Sequence, residues 1–177
     1  MAKDEKRAFE LAAAGTALGC AHSKGALGIC YVLGYGVAKD AARGLALGRE
    51  SAAAGSCFGQ FVVGWCYRFG RGGVARDYAE ALRLYRLAAA QGNAFAQFNL
   101  GVMFKKGEGV AQDYAEAVRL YSLAAAQGDA DAQVTLGLMF EKGQGVAQDR
   151  AEAIRLYRLA AAQGHAQAKV NLKRLGA

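Results

Sequence analysis

A segment of about twenty residues recurs three times along this chain in nearly identical form. It begins at Gly73, Gly109 and Gly145, and the copies read GVARDYAEALRLYRLAAAQG, GVAQDYAEAVRLYSLAAAQG and GVAQDRAEAIRLYRLAAAQG, so the period is 36 residues. A more divergent copy, GVAKDAARGLALGRESAAAG, begins at Gly36, 37 residues before the next one. A repeat of this length is typically one supersecondary unit, which buries its apolar face only against its neighbours. The sequence therefore predicts a repeat protein of about four units.

Each repeat carries the pattern of two helices. The first, helix A, contains an apolar residue, a glycine and an aromatic residue on one face, as in Leu100, Gly101 and Phe104. The second, helix B, begins at an Asp that is followed three residues later by Glu, as in Asp77 and Glu80, which is the pattern of a capping box. Helix B ends at a glycine that suits a left-handed backbone. We therefore predict an all-α fold of helix-loop-helix repeats.

We predict one repeat domain over residues 1–177, in which repeat 1 is divergent. Repeat 1 has four additional residues before helix A, and it has Gly44 and Gly48 where repeat 2 has Ala81 and Tyr85. Each glycine costs about 1 kcal/mol of helix propensity relative to alanine, so we expect this helix B to be the least stable, with the insertion filling the space of the missing tyrosine. The predicted segments are an N-terminal half-repeat helix (1–15), repeat 1 (16–55), repeat 2 (56–92), repeat 3 (93–128), repeat 4 (129–164) and a C-terminal capping helix (165–177).

Composition and charge limit the compartment and the chemistry that we expect. The chain is 54% hydrophobic with 24 Gly, no Pro and a net charge of +7. The N-terminal segment is too charged for a secretory signal because Glu10 interrupts it, and the longest uncharged run, 87–104, contains too many polar residues for a membrane span. The four cysteines form no CxxC pair. We therefore expect a cytoplasmic protein with free thiols, no cofactor and no metal.

The recurring motifs resemble the Sel-1-like repeat, a relative of the tetratricopeptide repeat. The signature A-x-x-x-L-G-x-x-Y/F-x-x-G-x-G-V-x-x-D-x-x-x-A-x-x-x-Y-x-x-A-A-x-x-G matches repeats 3 and 4 at nearly every position. This resemblance implies a right-handed α-solenoid, a superhelix of stacked helix pairs. It also implies a non-enzymatic scaffold or adaptor, because the motif contains no catalytic residue and such proteins bring other proteins together.

The resemblance also implies that helix A lines a concave side, so the helix A positions that differ between repeats become the candidate partner-binding residues. Helix A of repeat 2, FGQFVVGWCYRFG, carries five aromatic residues, whereas DAQVTLGLMFEKG in repeat 4 carries one. We predict that the surplus rings of repeats 2 and 3 face outward and line a groove for a peptide or helical segment of another protein, and that basic residues favour an acidic flank on it. The candidate partner-binding residues are Phe58, Phe61, Trp65, Arg68, Phe69, Phe95, Phe98, Val102, Lys105, Lys106, Val134 and Leu138.

Several alternatives stay open at this point. The first alternative is that the rings pack in the core, since aromatic residues at helical spacing often do. The same aromatic face would also suit a homodimer, and its mixture of rings and arginine would permit stacking on single-stranded RNA. Nucleic acid is disfavoured because Asp131 and Glu141 place negative charge on the same surface. We expect neither an enzyme nor a membrane partner, because no Ser-His-Asp or Cys-His arrangement and no phosphate loop is recognisable.

Overall fold

The computed structural model describes residues 2–177, with side chains from residue 4 onwards, and within these residues every regular element is an α-helix. The predicted N-terminal helix therefore includes one residue, Met1, that lies outside the described part. The prediction of an all-α fold built from helix pairs is confirmed. The helices are α1 (Ala2–Ala17), α2 (Ala21–Leu33), α3 (Ala41–Ala53), α4 (Cys57–Phe69), α5 (Tyr78–Ala90), α6 (Ala94–Lys106), α7 (Tyr114–Ala126), α8 (Ala130–Lys142), α9 (Arg150–Ala162) and α10 (Ala166–Leu175).

The start of each helix B is fixed by an Asp cap. The Asp77 carboxylate accepts a hydrogen bond from the backbone N–H of Glu80 at 3.0 Å, and the equivalent bond recurs at α3, α7 and α9. The backbone N–H of Asp77 donates to the carbonyl of Tyr67 at 2.9 Å, which ties the end of helix A to the start of helix B. Since that N–H is already used, the Glu80 carboxylate binds Arg83 instead, at 2.7 Å. The predicted capping box is therefore half formed, and its Glu belongs to a surface ion pair.

The chain divides into two compact units, of which the first ends at Asn93 and contains α1 to α5. In unit 1, α2, α3 and α4 approach closely at glycines. A Cβ atom at Gly48 would lie 2.6 Å from the Val62 side chain, and one at Gly44 would lie 2.6 Å from that of Val32. Val62 therefore occupies the space that we expected the insertion of repeat 1 to fill. The insertion lengthens α1 to Ala17 instead and forms the turn before α2.

Unit 2 begins at Ala94 and contains α6 to α10. Its core is built around Tyr121 and Tyr157, one from each helix B, both fully buried. Each ring lies against the glycine of helix A in its own repeat: a Cβ at Gly101 would lie 2.9 Å from Tyr121, and one at Gly137 would lie 2.7 Å from Tyr157. The glycine of the helix A motif therefore leaves the space in which the helix B tyrosine lies against helix A.

No helix in the described part of the chain combines the length and the apolar character that crossing a membrane requires.

Candidate partner-binding site

One group of the predicted binding residues turns toward helix B of its own repeat. In unit 1, Phe61 is only 2% exposed, and its ring stacks on Tyr85 with the ring centroids 5.8 Å apart. Phe61 lies three residues before Gly64, so both project from the same helix face, and it is this face that approaches Tyr85. Phe61 is thus a core residue and not, as expected from the sequence, an outward-facing one.

The equivalent position is also turned inward in unit 2. Phe98 is half-buried, with its ring centroid 5.6 Å from that of Tyr121. Val134 is 5% exposed and packs in the cluster around Tyr157. Both precede the helix A glycine by three residues, as Phe61 does. The expectation that Val134 faces outward is therefore corrected, and Phe98 offers only part of its ring.

Arg68 was expected to form a basic edge on the outer surface. It is 5% exposed, and its guanidinium lies over the ring of Phe69, 4.9 Å from the centroid. The reason is again the helix register: Arg68 follows Gly64 by four residues, so it projects from the face that meets helix B. Arg68 therefore acts from within unit 1, where it supports the Phe69 ring, and does not present a free charge to solvent.

Two of the predicted rings of repeat 2 remain accessible side by side. Trp65 is half-buried and Phe69 is 46% exposed, and their ring centroids lie 5.0 Å apart at an interplanar angle of 52°. We call these two residues the aromatic pair. Phe58 precedes Trp65 by about two helical turns and is half-buried. Its ring meets that of His22 edge to face, with the ring centroids 6.0 Å apart. By contrast, Ile29 is buried at the position that matches Trp65 in repeat 1.

The remaining candidates lie in unit 2, on α6 and α8. Phe95 is 41% exposed at the start of α6, while Val102 on α6 and Leu138 on α8 are half-buried. At the end of α6, Lys105 is half-buried and Lys106 is exposed. Burial lowers the pKa of the Lys105 ammonium group, and repulsion from Lys142 and Lys106 adds to the shift. This face is therefore aliphatic in the middle of the helices and cationic at their C-terminal ends.

Of the two acidic residues that repeat 4 places on this surface, Glu141 is neutralised by an ion pair, whereas the Asp131 side chain stays exposed beside a histidine. Glu141 accepts a hydrogen bond from the Tyr157 hydroxyl at 2.9 Å and forms an ion pair with Arg174 of α10 at 2.7 Å. Asp131 Oδ1 lies 2.9 Å from Nε2 of His165, which precedes α10. The sequence contained a signal for both contacts, because each basic partner follows its acid by 33 or 34 residues, close to one repeat. The charge argument against an anionic partner is thereby weakened.

The Arg174 contact makes the docking of α10 sensitive to acid. Arg174 holds the pKa of the Glu141 carboxyl below its usual value, so the ion pair stabilises the folded state above that usual value and is lost as the pH falls through the lowered pKa. Backbone amides of α10 should therefore exchange faster at pH 3 than at pH 5, after correction for intrinsic exchange rates. Arg174→Gln should remove most of this pH dependence. An unchanged pH dependence in that variant would assign the effect to other carboxyls.

Two surface crevices were not predicted. Each lies between helix B of one repeat and both helices of the next, with a volume of about 340 Å³ in unit 1 and about 480 Å³ in unit 2. An exposed leucine and an arginine–glutamate ion pair line each crevice, Leu87 with Arg83 and Glu80 in the first. The leucine is the same in all three close copies of the motif. The candidate partner-binding residues are those that differ between repeats, so they do not include this leucine.

Comparison with known proteins agrees with this architecture. Residues 16–56, 58–93, 94–129 and 130–165 each match the family described as Sel1 repeat. A crystal structure of a protective antigen from uropathogenic Escherichia coli strains, which displays an SLR fold, superposes with a TM-score of 0.73 at 36% identity, covering 90% of this chain and 34% of the antigen. A Sel1 repeat protein from Oxalobacter formigenes superposes with a TM-score of 0.73 at 28% identity, covering 92% of this chain and 64% of that protein.

A more distant structure shares the fold alone. It is an immunity protein from Pseudomonas aeruginosa, with a TM-score of 0.61 at 23% identity over 93% of this chain and 60% of that protein. No protein of curated function matches the sequence. The chain spans 34% of the length of the E. coli antigen and 64% of that of the Oxalobacter protein, so it corresponds to part of each.

Proposed function

Because this chain belongs to the Sel1 repeat family, an α-solenoid family whose members mediate protein–protein interaction and are generally non-catalytic, we propose that it is an adaptor that binds a segment of another protein on its helix A surface. The aromatic pair, Trp65 and Phe69 in unit 1, is the main contact. The observation that carries this proposal is that the two rings lie 5.0 Å apart on one helix and both keep solvent access.

The aromatic pair has the physical properties of a binding hot spot. Trp and Phe rings each bury about 150–250 Å² when covered, and tryptophan is among the residues that most often dominate binding energy. The Arg68 guanidinium beneath Phe69 restrains that ring before any partner arrives. A restrained ring loses less conformational entropy on binding, so more of the contact energy appears as affinity. Arg68 thus contributes to the surface indirectly, by positioning Phe69.

The test uses Trp65, the only tryptophan in the chain, as both reporter and target. Peptides selected against the protein from a random displayed library should shift the Trp65 emission to the blue on binding. Trp65→Ala and Phe69→Ala should each weaken binding of those peptides, measured by fluorescence anisotropy, by at least about tenfold, which corresponds to about 1.4 kcal/mol. The melting temperature should change little in Phe69→Ala, whose side chain is 46% exposed, and somewhat more in Trp65→Ala, whose side chain is half-buried.

Leu87→Ala is the matched control, because it truncates an exposed apolar side chain of the same unit that lines the crevice and not the helix A surface. It should leave binding unchanged. Retained binding in Trp65→Ala with lost binding in Leu87→Ala would move the site to the crevice and overturn the proposal.

Two other uses of the aromatic pair give different results. If it forms a homodimer, sedimentation velocity at micromolar concentration should show a dimer that Trp65→Ala converts to a monomer. If it stacks on single-stranded RNA, an oligouridine should shift the Trp65 emission, with affinity that falls steeply as salt rises. A monomer that ignores the oligonucleotide and binds the selected peptides supports the adaptor.

A further inference from the structure

The strongest unassigned feature of the molecule is a group of three lysines in unit 2. Lys105 and Lys106 end α6 and Lys142 ends α8, so equivalent helix ends of successive repeats carry ammonium groups, and those of Lys106 and Lys142 lie close enough to Lys105 to repel it. We call these three residues the lysine cluster. Cations at a helix C-terminus interact favourably with the helix dipole, and the 36-residue period places Lys106 and Lys142 at equivalent positions. Neither accounts for Lys105, which is half-buried and matches Glu141 of repeat 4.

The charge of the lysine cluster is poorly neutralised within the part of the chain that the structure describes. Burial is the main reason why the pKa of Lys105 is lowered, and the repulsion from Lys142 and Lys106 acts in the same direction. No ion pair to Lys105 or Lys142 occurs among the described residues, and Lys106 lies 3.7 Å from Glu108. Glu141, next to Lys142 in the chain, attracts that lysine, but its carboxylate forms its ion pair with Arg174 at 2.7 Å. Bringing like charges together at a partly buried site lowers stability unless an anion offsets them.

Aliphatic side chains lie beside the lysine cluster. Val102 precedes Lys105 by three residues on α6, and Leu138 precedes Lys142 by four on α8, so each lies on the same helix face as a lysine. Both are half-buried and keep some apolar surface exposed. The nearby ring of Phe98 is engaged by Tyr121 and packs against the core cluster, so it is not placed to stack on a nucleotide base.

We propose that the lysine cluster, with Val102 and Leu138, binds an acidic protein segment that carries several carboxylates next to an aliphatic side chain. This inference rests on the proposed adaptor function and assigns the chemistry of a contact in unit 2, separate from the aromatic pair of unit 1. The carboxylates relieve the repulsion among the ammonium groups, and the aliphatic side chain covers the valine and the leucine. Complementary charge of this kind mainly sets association rate and specificity. Binding should therefore weaken as ionic strength rises, since the Debye length shortens from about 30 Å at 0.01 M salt to about 8 Å at 0.15 M.

The test uses the full chain and a fluorescein-labelled peptide of Leu-Glu-Glu units, with a matched peptide in which Gln replaces Glu. The acidic peptide should bind and the Gln peptide should not. The double variant Lys105→Gln with Lys142→Gln should weaken binding by about tenfold, the loss typical of truncating one side of a close charge pair. The matched control is Lys169→Gln with Lys173→Gln, which changes the net charge equally but alters exposed lysines of α10. The control should change the affinity by less than about twofold.

A stability measurement separates a binding role from a structural one. Removing a repelled, partly buried charge should leave the melting temperature of Lys105→Gln unchanged or slightly raised. A clear fall would show that the lysine supports the fold.

The remaining outcomes decide between this inference and its rivals. Equal weakening by both double variants would reduce the effect to net charge and overturn the inference. Tighter binding of an oligouridine than of the acidic peptide would assign the surface to nucleic acid. Loss of the selected peptides in Trp65→Ala, without any binding of the acidic peptide, would leave the adaptor standing and this inference refuted. If the acidic peptide binds and Trp65→Ala leaves binding of the selected peptides unchanged, this inference stands and the aromatic pair is not the main contact.

Discussion

Phe61→Ala should lower the free energy of unfolding by about 3–5 kcal/mol, the range found when a buried phenylalanine is truncated in a packed core. Phe61 is 2% exposed and stacks on the fully buried Tyr85, so the substitution removes a ring from the contact between helix A and helix B of repeat 2. Urea unfolding followed by far-UV circular dichroism, with hydrogen exchange of α4 and α5, measures the loss.

Phe69→Ala is the matched control, because it makes the same chemical change on the same helix at a residue that is 46% exposed. It should cost less than about 1 kcal/mol, because surface substitutions away from core contacts are small. The pair of variants therefore separates fold from binding: Phe61→Ala lowers stability, whereas Phe69→Ala lowers affinity. Similar losses of stability in the two variants would show that the ring of Phe61 is not held as the structure has it.

Gly59→Ala should lower stability by about 3 kcal/mol, at the upper end of the cost of overpacking a close contact. A Cβ at Gly59 would overlap the backbone nitrogen of Ala52 and lie 2.7 Å from the carbonyl oxygen of Gly48, so α4 would have to move away from α3. Backbone atoms cannot rotate out of the way as a side chain can. Alanine has a more favourable helix propensity than glycine by about 1 kcal/mol, which offsets only part of this cost.

Gly64→Ala is the control for Gly59→Ala, since it adds the same methyl group on the same helix and gains the same propensity. Its Cβ would lie 3.0 Å from the ring of Tyr85, so the added methyl group meets a side chain at a longer distance and no backbone atom of a neighbouring helix. For a chain of this size, 3 kcal/mol corresponds to a fall in melting temperature of roughly 6–12 °C, and Gly64→Ala should show a clearly smaller fall. A Gly59→Ala protein that melts at the wild-type temperature would mean that α3 and α4 do not approach at this glycine.

Close packing at glycine also bears on the stability of α3, the helix B of repeat 1. By propensity, the glycines of α3 weaken the helix, and alanine should strengthen it. In the structure the absence of a side chain at Gly48 is what admits Val62, which is fully buried. Whether α3 is nevertheless the least protected helix B stays a prediction for hydrogen exchange.

The sequence alone was sufficient for the features whose causes are local or periodic. The spacing of Asp77 and the glycine that follows helix B predicted where α5 begins and ends, because an N-cap carboxylate and a left-handed glycine act within a few residues. The recurrence of the motif predicted the stacked helix pairs and the Sel1 repeat family. Trp65 differs from the residues at the equivalent positions of the other repeats, and this difference predicted a surface on which the aromatic pair does keep solvent access.

The tertiary structure alone decided which side of helix A each ring faces. The helical periodicity of α4 is the same whether Phe61 or Trp65 points toward helix B. The choice depends on which face of α4 packs against α5. In the structure this is the face of Gly64 and Phe61, which both lie against Tyr85. The same non-local packing buries Arg68 and pairs Glu141 with Arg174, one repeat away. Local signals predict helices because capping and propensity act within a few residues, whereas the exposed face of a helix follows from partners that lie far away in the chain.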